Sequence, residues 1–247
     1  MTHNDIYTKF MIEYDKANVT SSYPSLTKYE IATILDKAYL AIIGEKVTGN
    51  NPRQATFESD SKSIEDIRPL ITETKVTLKR ANGYITNRYY YKLPEESLYL
   101  VSSQINLRYG KKRSNQPMDK PNNRVWPISL VSHETAQKFF ATPYNMPWIK
   151  QPVCYIEGDT VYVLVDSMWK DLYNMSFRGS TSVQYIQNPK KFALIKDNKR
   201  IADFGDTVFE LSDSMAEELI NLALVMSLEN IESTRLQAKV QTRTLEA

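Results

Sequence analysis

Few side chains in this sequence have the chemistry to act on a substrate, and their spacing argues against it. Histidine occurs twice, at His3 and His133. His133 stands between Ser132 and Glu134, but a catalytic triad joins residues distant in sequence that the fold brings together. The Ser-His-Glu run reads instead as a helix start, where a serine side chain caps free N–H groups. His3 falls in an amino-terminal stretch expected to be irregular. The single cysteine, Cys154, sits in an apolar strand pattern. No neighbour in sequence would lower its pKa, so a buried, structural thiol is expected. Glu157, Asp159 and Asp166 are close enough in sequence to hold a hard cation, yet hairpin carboxylates are ordinarily solvated turn residues. The H-E-x-x-H, C-x-x-C and EF-hand patterns are absent, as are both glycine-rich phosphate-binding patterns. No catalytic residue, metal or cofactor is therefore expected. Carboxylate-only catalysis leaves no short motif and is the enzymatic reading still open.

One local charge signal stands out. Residues 108–124 carry Arg108, Lys111, Lys112, Arg113, Lys120 and Arg124 against Asp119 alone. In a single copy this is a solvated basic loop. Repeated around a ring, it becomes a positive collar able to hold a phosphate backbone without reading sequence. Tyr89, Tyr90, Tyr91 and Tyr109 have faces on which bases stack, although core and interface packing is the simpler use for them. The net charge of +2 is too small to mark a nucleic-acid binder by bulk electrostatics.

These residues need elements to position them. Thr27 and Glu30 form a capping-box pattern, followed by Ile31, Ile34, Leu35, Ala38 and Ile42 at helical spacing, with Gly44 near the expected end. Ser63 starts a short helix near Pro69. The texture then changes to strands. Thr72, Thr74, Val76 and Leu78 alternate with polar residues, Ala81-Asn82-Gly83 signals a hairpin, and Tyr84–Leu93 returns. Leu98–Tyr109 reads as a third strand, with Tyr99, Val101, Ile105, Leu107 and Tyr109 on one face. One dry and one wet face imply an antiparallel sheet. Ser132 caps a helix through Phe140. A second hairpin surrounds Glu157-Gly158-Asp159, and Ser182–Gln187 and Phe192–Ile195 supply short strands.

Near the carboxy end, Ser214 and Glu217 have capping-box spacing, and Leu219–Leu228 is apolar except at Asn221 and Ser227. A surface helix needs one apolar stripe; this one is apolar on most of its circumference. Either the rest of the chain or another subunit must cover it. Met215, Leu219, Leu222, Met226 and Ile231 are the candidate oligomer-packing positions. The run is too short for a bilayer, which needs roughly 20 apolar residues. No signal peptide is read at the amino end. The expected fold class is α+β: residues 1–70 with 207–247 form a layer of packed amino- and carboxy-terminal helices. Residues 71–206 form an inserted antiparallel β-rich domain.

Three segments carry a family resemblance: SLTKYEIATILDKAYLAIIGEK at 25–46, SIEDIRPLI at 63–71, and NPKKFALIKD through ELSDSMAEELINLALVMSLENI. They resemble virion neck proteins of crAss-like and other Bacteroidetes podoviruses. The likeness covers the two ends of the chain and its organisation, and the sheet region poorly. It implies a head–tail connector, or ring protein, stacked as a twelvefold homo-oligomer beneath the portal and lining the DNA channel between capsid and tail. The implied partners are the portal protein, neighbouring ring or tail proteins and, non-specifically, genomic DNA, with no membrane. The implied location is the virion neck, after synthesis in the host bacterial cytoplasm. The alternative is a sequence-independent nucleic-acid-binding protein that uses the basic loop and the tyrosines.

Overall fold

A computed structural model describes residues 1–16, 26–48, 61–81, 88–109, 122–141, 147–148, 151–165, 180–196 and 199–230. Its helices are α1 (His3–Lys16), α2 (Lys28–Thr48), α3 (Ser61–Ile67) with a 3-10 turn at Arg68–Leu70, α4 (His133–Ala141) and α5 (Asp213–Asn230). Its strands are β1 (Ile71–Thr77), β2 (Lys79–Arg80), β3 (Arg88–Lys92), β4 (Ser97–Tyr109), β5 (Asn122–Leu130), β6 (Val153–Glu157), β7 (Thr160–Leu164), β8 (Ser180–Gln187), β9 (Ala193–Lys196) and β10 (Lys199–Ala202). The fold is thus mixed helix and sheet. The chain divides into two compact units, Met1–Leu70 with Pro189–Ala247, and Ile71–Asn188.

In the first unit the stretch expected to be irregular is a helix. Thr2 and Asp5 cap α1 reciprocally: the Asp5 N–H donates to the Thr2 hydroxyl at 3.2 Å, and the Thr2 N–H donates to the Asp5 carboxylate at 2.9 Å. Ile6, Phe10 and Tyr14 follow at i, i+4 and i+8 and are buried. The segment 203–209 binds the start of the helix. His3 N–H donates to the Thr207 carbonyl at 2.9 Å and Asn4 N–H to that of Gly205 at 3.3 Å, which satisfies donors a helix start otherwise leaves free.

The capping box of α2 forms as expected, with Thr27 N–H on the Glu30 carboxylate at 2.7 Å, but the helix runs past Gly44 to Thr48. The cap of α5 is displaced from expectation. Ser212, not Ser214, accepts the Met215 N–H, at 3.4 Å, while Glu217 turns away to pair with Lys9 of α1. Helix α5 packs against both α1 and α2.

The second boundary falls after Asn188 rather than at 206. The reason is local. The β9–β10 hairpin, whose second strand the sequence pattern did not reveal, packs on α2. There the Asp36 carboxylate accepts the N–H groups of Phe192 and Ala193 at 2.8 and 3.0 Å. The hairpin therefore belongs to the helical unit.

The second unit is built on one eight-stranded sheet in the order β1-β8-β4-β5-β6-β7-β3-β2. Its first and last strands, β1 and β2, are one stretch of chain interrupted only at Leu78. The two ends of the order are therefore covalently joined, and the sheet is closed on itself as a barrel. Tyr91, Ile105, Ile128, Cys154, Val161, Val163, Val183 and Tyr185, drawn from six of the strands, are buried in one cluster, with Leu78 packed against it. This is the interior of a small barrel filled by side chains.

Two features depart from a plain antiparallel sheet. β5 and β6 pair in parallel, at Ser129↔Val153 and Leu130↔Cys154. The β4–β8 ladder also shifts register between Ser97 and Tyr99 and again between Leu100 and Ser102. An extra residue at such a bulge reverses the inward face. Leu100 therefore joins Ile105 against the barrel core, which the simple alternation of β4 had placed on the opposite face.

Candidate functional site

The basic segment is presented by a ribbon. β4 and β5 pair continuously from Ser103↔Ile128 to Tyr109↔Asn122. β8 follows β4 only as far as Ile105, and β6 meets β5 only at Ser129 and Leu130. Among the described residues, Asn106–Tyr109 and Asn122–Val125 therefore pair only with each other. Four residues of strand extend the ribbon by roughly 13 Å. Arg108 and Arg124 lie in the backbone of this ribbon. Lys111, Lys112, Arg113 and Lys120 fall in the connection between its strands, outside the described residues. The pairing of Tyr109 with Asn122 holds the two ends of that connection together.

The candidate packing helix is covered differently from the oligomer reading. Met215, Leu219 and Leu222 are 2%, 0% and 2% exposed within the single chain. Met226 is half-buried, and Ile231 lies outside the described residues. Helix α5 is apolar around its circumference because α1 and α2 of the same chain lie against it. The three buried positions offer no surface to another subunit.

Sequence reasoning missed a charged junction in the same unit. Lys46, in the last turn of α2, places its ammonium 3.4 Å from both Asp66 of α3 and Glu218 of α5. The three side chains are only 10%, 11% and 14% exposed. A signal was present: Lys46 continues the stripe Leu35, Ala38, Ile42 at helical spacing, where an apolar residue is expected. A cleft of about 320 Å³ lined by Lys62, Asp66, Ser214, Met215, Glu217 and Glu218 lies beside it.

His3 is also placed otherwise than expected. Its ring is 1% exposed and lies 4.1 Å from the Phe192 ring centroid. Its Nδ1 is 3.1 Å from the Asp203 carbonyl, to which it donates in the neutral ring. Burial lowers the pKa of His3 below 6.5, against the opposing pull of the Asp203 carbonyl and the charges of Asp203, Asp36 and Glu210. A group whose folded pKa is lowered takes its proton first in the unfolded chain. Its contribution is then intact above 6.5 and is lost as pH falls from 6.5 toward the folded value. Asp36, raised above 3.8 by burial, acts in the opposite sense at lower pH. Urea unfolding is expected to show stability declining from pH 7.5 to 5.5 in the native chain, with a flatter profile for His3→Phe. Equal slopes for the two proteins would remove His3 as the cause.

The remaining candidates are structural in their surroundings. Cys154 is 1% exposed inside the barrel, and burial pushes its thiol up to about 11, partly offset by the Ser103 hydroxyl. His133 is exposed, edge-on to Tyr155 at 5.5 Å. Of the three hairpin carboxylates, Glu157 lies 3.4 Å from the Arg88 guanidinium, Asp159 lies in the turn, and Asp166 falls outside the described residues. Arg88 itself lies over the Tyr162 ring at 3.7 Å, and Tyr162 stacks on Tyr155 at 5.3 Å. Of the four tyrosines with faces for base stacking, Tyr89 and Tyr91 are buried in the barrel cluster, Tyr90 is half-buried, and the side chain of Tyr109 lies outside the described residues. Among the described residues no three His, Cys, Asp or Glu side chains converge as a metal site, and no helix is long and apolar enough to cross a membrane. The chain matches no protein-family profile and no curated protein.

Proposed function

We propose that this chain is a structural virion protein of the phage neck, one copy of a closed ring that joins the capsid portal to the tail around the DNA channel. The observation that supports it is the basic ribbon. Arg108 and Arg124 belong to a β-hairpin that outruns its sheet, and Lys111, Lys112, Arg113 and Lys120 fall in the sequence that connects its two strands. That arrangement suits an arm reaching a polyanion or an acidic partner and does no chemistry of its own. The resemblance of residues 25–46, 63–71 and the 188–231 region to podovirus neck proteins gives the arm its setting. A layer of terminal helices forming the body of the ring, with the barrel as an insertion, completes this reading.

The test is reversal of Lys111, Lys112 and Arg113 to glutamate in the phage. Neck assembly or genome retention is expected to fall sharply, while the purified variant unfolds at the same urea concentration as the native chain. Normal virions from the variant would end the assignment of the ribbon. Cryo-electron microscopy of the virion showing no ring of this chain would end the neck reading.

The same six cations support a second reading, sequence-independent nucleic-acid binding by the chain on its own. It predicts duplex binding whose log K falls with log salt at a slope of about −0.9 per phosphate contacted. A flat salt response would exclude it.

A further inference from the structure

The barrel interior holds a small polar group among its apolar side chains. Tyr91 of β3, Ser103 of β4 and Thr181 of β8 are 2%, 3% and 0% exposed. Tyr91 belongs to the core cluster, with Ile105, Cys154 and Val183. Among the described residues, neither the Tyr91 phenol oxygen nor the Ser103 and Thr181 hydroxyls have a hydrogen-bond partner. A buried hydroxyl left unpaired is costly, and in folded proteins such groups bond to protein or to ordered water.

The strand register brings the three together. Ser103 pairs with Val183, and Ile105 with Thr181. Thr181 therefore stands on the same face of β8 as Val183, diagonal to Ser103. Diagonal neighbours on a sheet face are about 7–8 Å apart. Two short hydroxyl side chains at that separation do not reach the direct bonding distance of about 2.8 Å, whereas one molecule between them spans roughly twice as far. Tyr91 arrives from another part of the wall, since β3 pairs with β7 and β2 and neighbours neither β4 nor β8. Its phenol still comes close to Ser103. Burial drives the pKa of Tyr91 upward, and the Ser103 hydroxyl holds that rise back, as it does for the Cys154 thiol. The two oxygens are thus neighbours that lack the geometry of a direct hydrogen bond.

We infer that the barrel core binds an ordered water molecule that bridges the hydroxyls of Tyr91, Ser103 and Thr181. A buried water needs two to four polar partners, and this group offers three, each able to donate or accept. An ion is a poor fit, because among the described residues of this unit no charged side chain is buried. The bridge ties the β3 wall to the β4–β8 wall, which no backbone ladder joins directly. The inference concerns the barrel alone and is independent of the ring reading.

The test combines a high-resolution crystal structure of the full chain with thermal unfolding of Thr181→Val, which nearly keeps the side-chain shape and deletes its hydroxyl. An ordered solvent peak is expected at about 2.6–3.2 Å from each of the three oxygens. The variant should melt about 2–4 °C below the native chain, since it loses one satisfied hydrogen bond. Tyr91→Phe should shift the transition in the same direction. Direct bonding among the three hydroxyls, or no solvent peak between them, would overturn the inference. So would a Thr181→Val chain that melts at or above the native temperature, because replacing an unpaired buried hydroxyl by a methyl group carries no penalty. A peak within reach of only two of the oxygens would overturn the three-way bridge.

Discussion

Replacing Lys46 by alanine is expected to destabilise the helical unit by about 3–5 kcal/mol. The ammonium of Lys46 is the shared counter-charge of Asp66 and Glu218, each 3.4 Å away. Removing it leaves two carboxylates facing each other with little water, since their side chains are 11% and 14% exposed. A buried charge without its partner costs far more than the intact pair contributes. Hence the change should exceed that of any surface ion pair here, such as Lys138 with Glu134, which is worth a few tenths of a kcal/mol. The measurement is urea unfolding followed by a probe in the helical unit. A companion variant sharpens it. Lys46→Met with Asp66→Leu and Glu218→Leu removes all three charges and should recover most of the loss. A Lys46→Ala change below about 1 kcal/mol would mean that the two carboxylates are effectively hydrated.

Phe10→Ala is expected to cost about 3–5 kcal/mol, because a large ring is deleted from a packed site. Phe10 is 0% exposed in the centre of the α1 stripe formed with Ile6 and Tyr14, and its ring lies 5.8 Å from that of Tyr14. Ile12 on the same helix is 49% exposed and serves as the control, with Ile12→Ala expected within about 0.5 kcal/mol of the native chain. Thermal or urea unfolding decides it. Indistinguishable effects at the two positions would make α1 an appendage to the unit instead of part of its core.

These two residues also show where the sequence was legible. The Thr27–Glu30 box and the Ile31–Ile42 stripe announce α2 because cap and period agree. Helix α1 was missed although Ile6, Phe10 and Tyr14 keep the period, because its cap uses Asp5 where glutamate or glutamine is the familiar partner of threonine. At α5 two serines compete, and the one at Ser212 wins because Glu217 is claimed by Lys9, a contact that depends on tertiary structure. The strand alternation located β1, but the β4 bulges reversed its faces, and no local pattern announces a bulge. Closure of the barrel was invisible, since it depends on which partners β1 and β2 take on either side of Leu78. Of the candidate site, the cationic cluster was legible as composition, while the ribbon that presents it needed the strand pairing. Lys46 broke the apolar stripe of α2 in plain view, but its two carboxylates come from helices far along the chain. The apolar circumference of α5 left open whether a subunit or the chain itself covers it, because periodicity records burial and not the identity of the neighbour.

The closed sheet has a consequence for how the protein is made. The strand that seals the barrel is the first one synthesised, and its partner β8 is the last: Ile71 pairs with Ile186. A nascent chain can form the β4–β5 and β6–β7 hairpins as they emerge, but the seam must wait until residue 187 has left the ribosome. Until then β1 has an unpaired edge, and Val76 and Leu78 lack their apolar cover. Long-range closure of this kind slows folding and prolongs exposure of sticky edges. The helical unit waits as well, since α5 follows the barrel in the chain. The barrel is therefore complete before the helical unit, and a product truncated before residue 187 would have neither a sealed barrel nor a covered helical core.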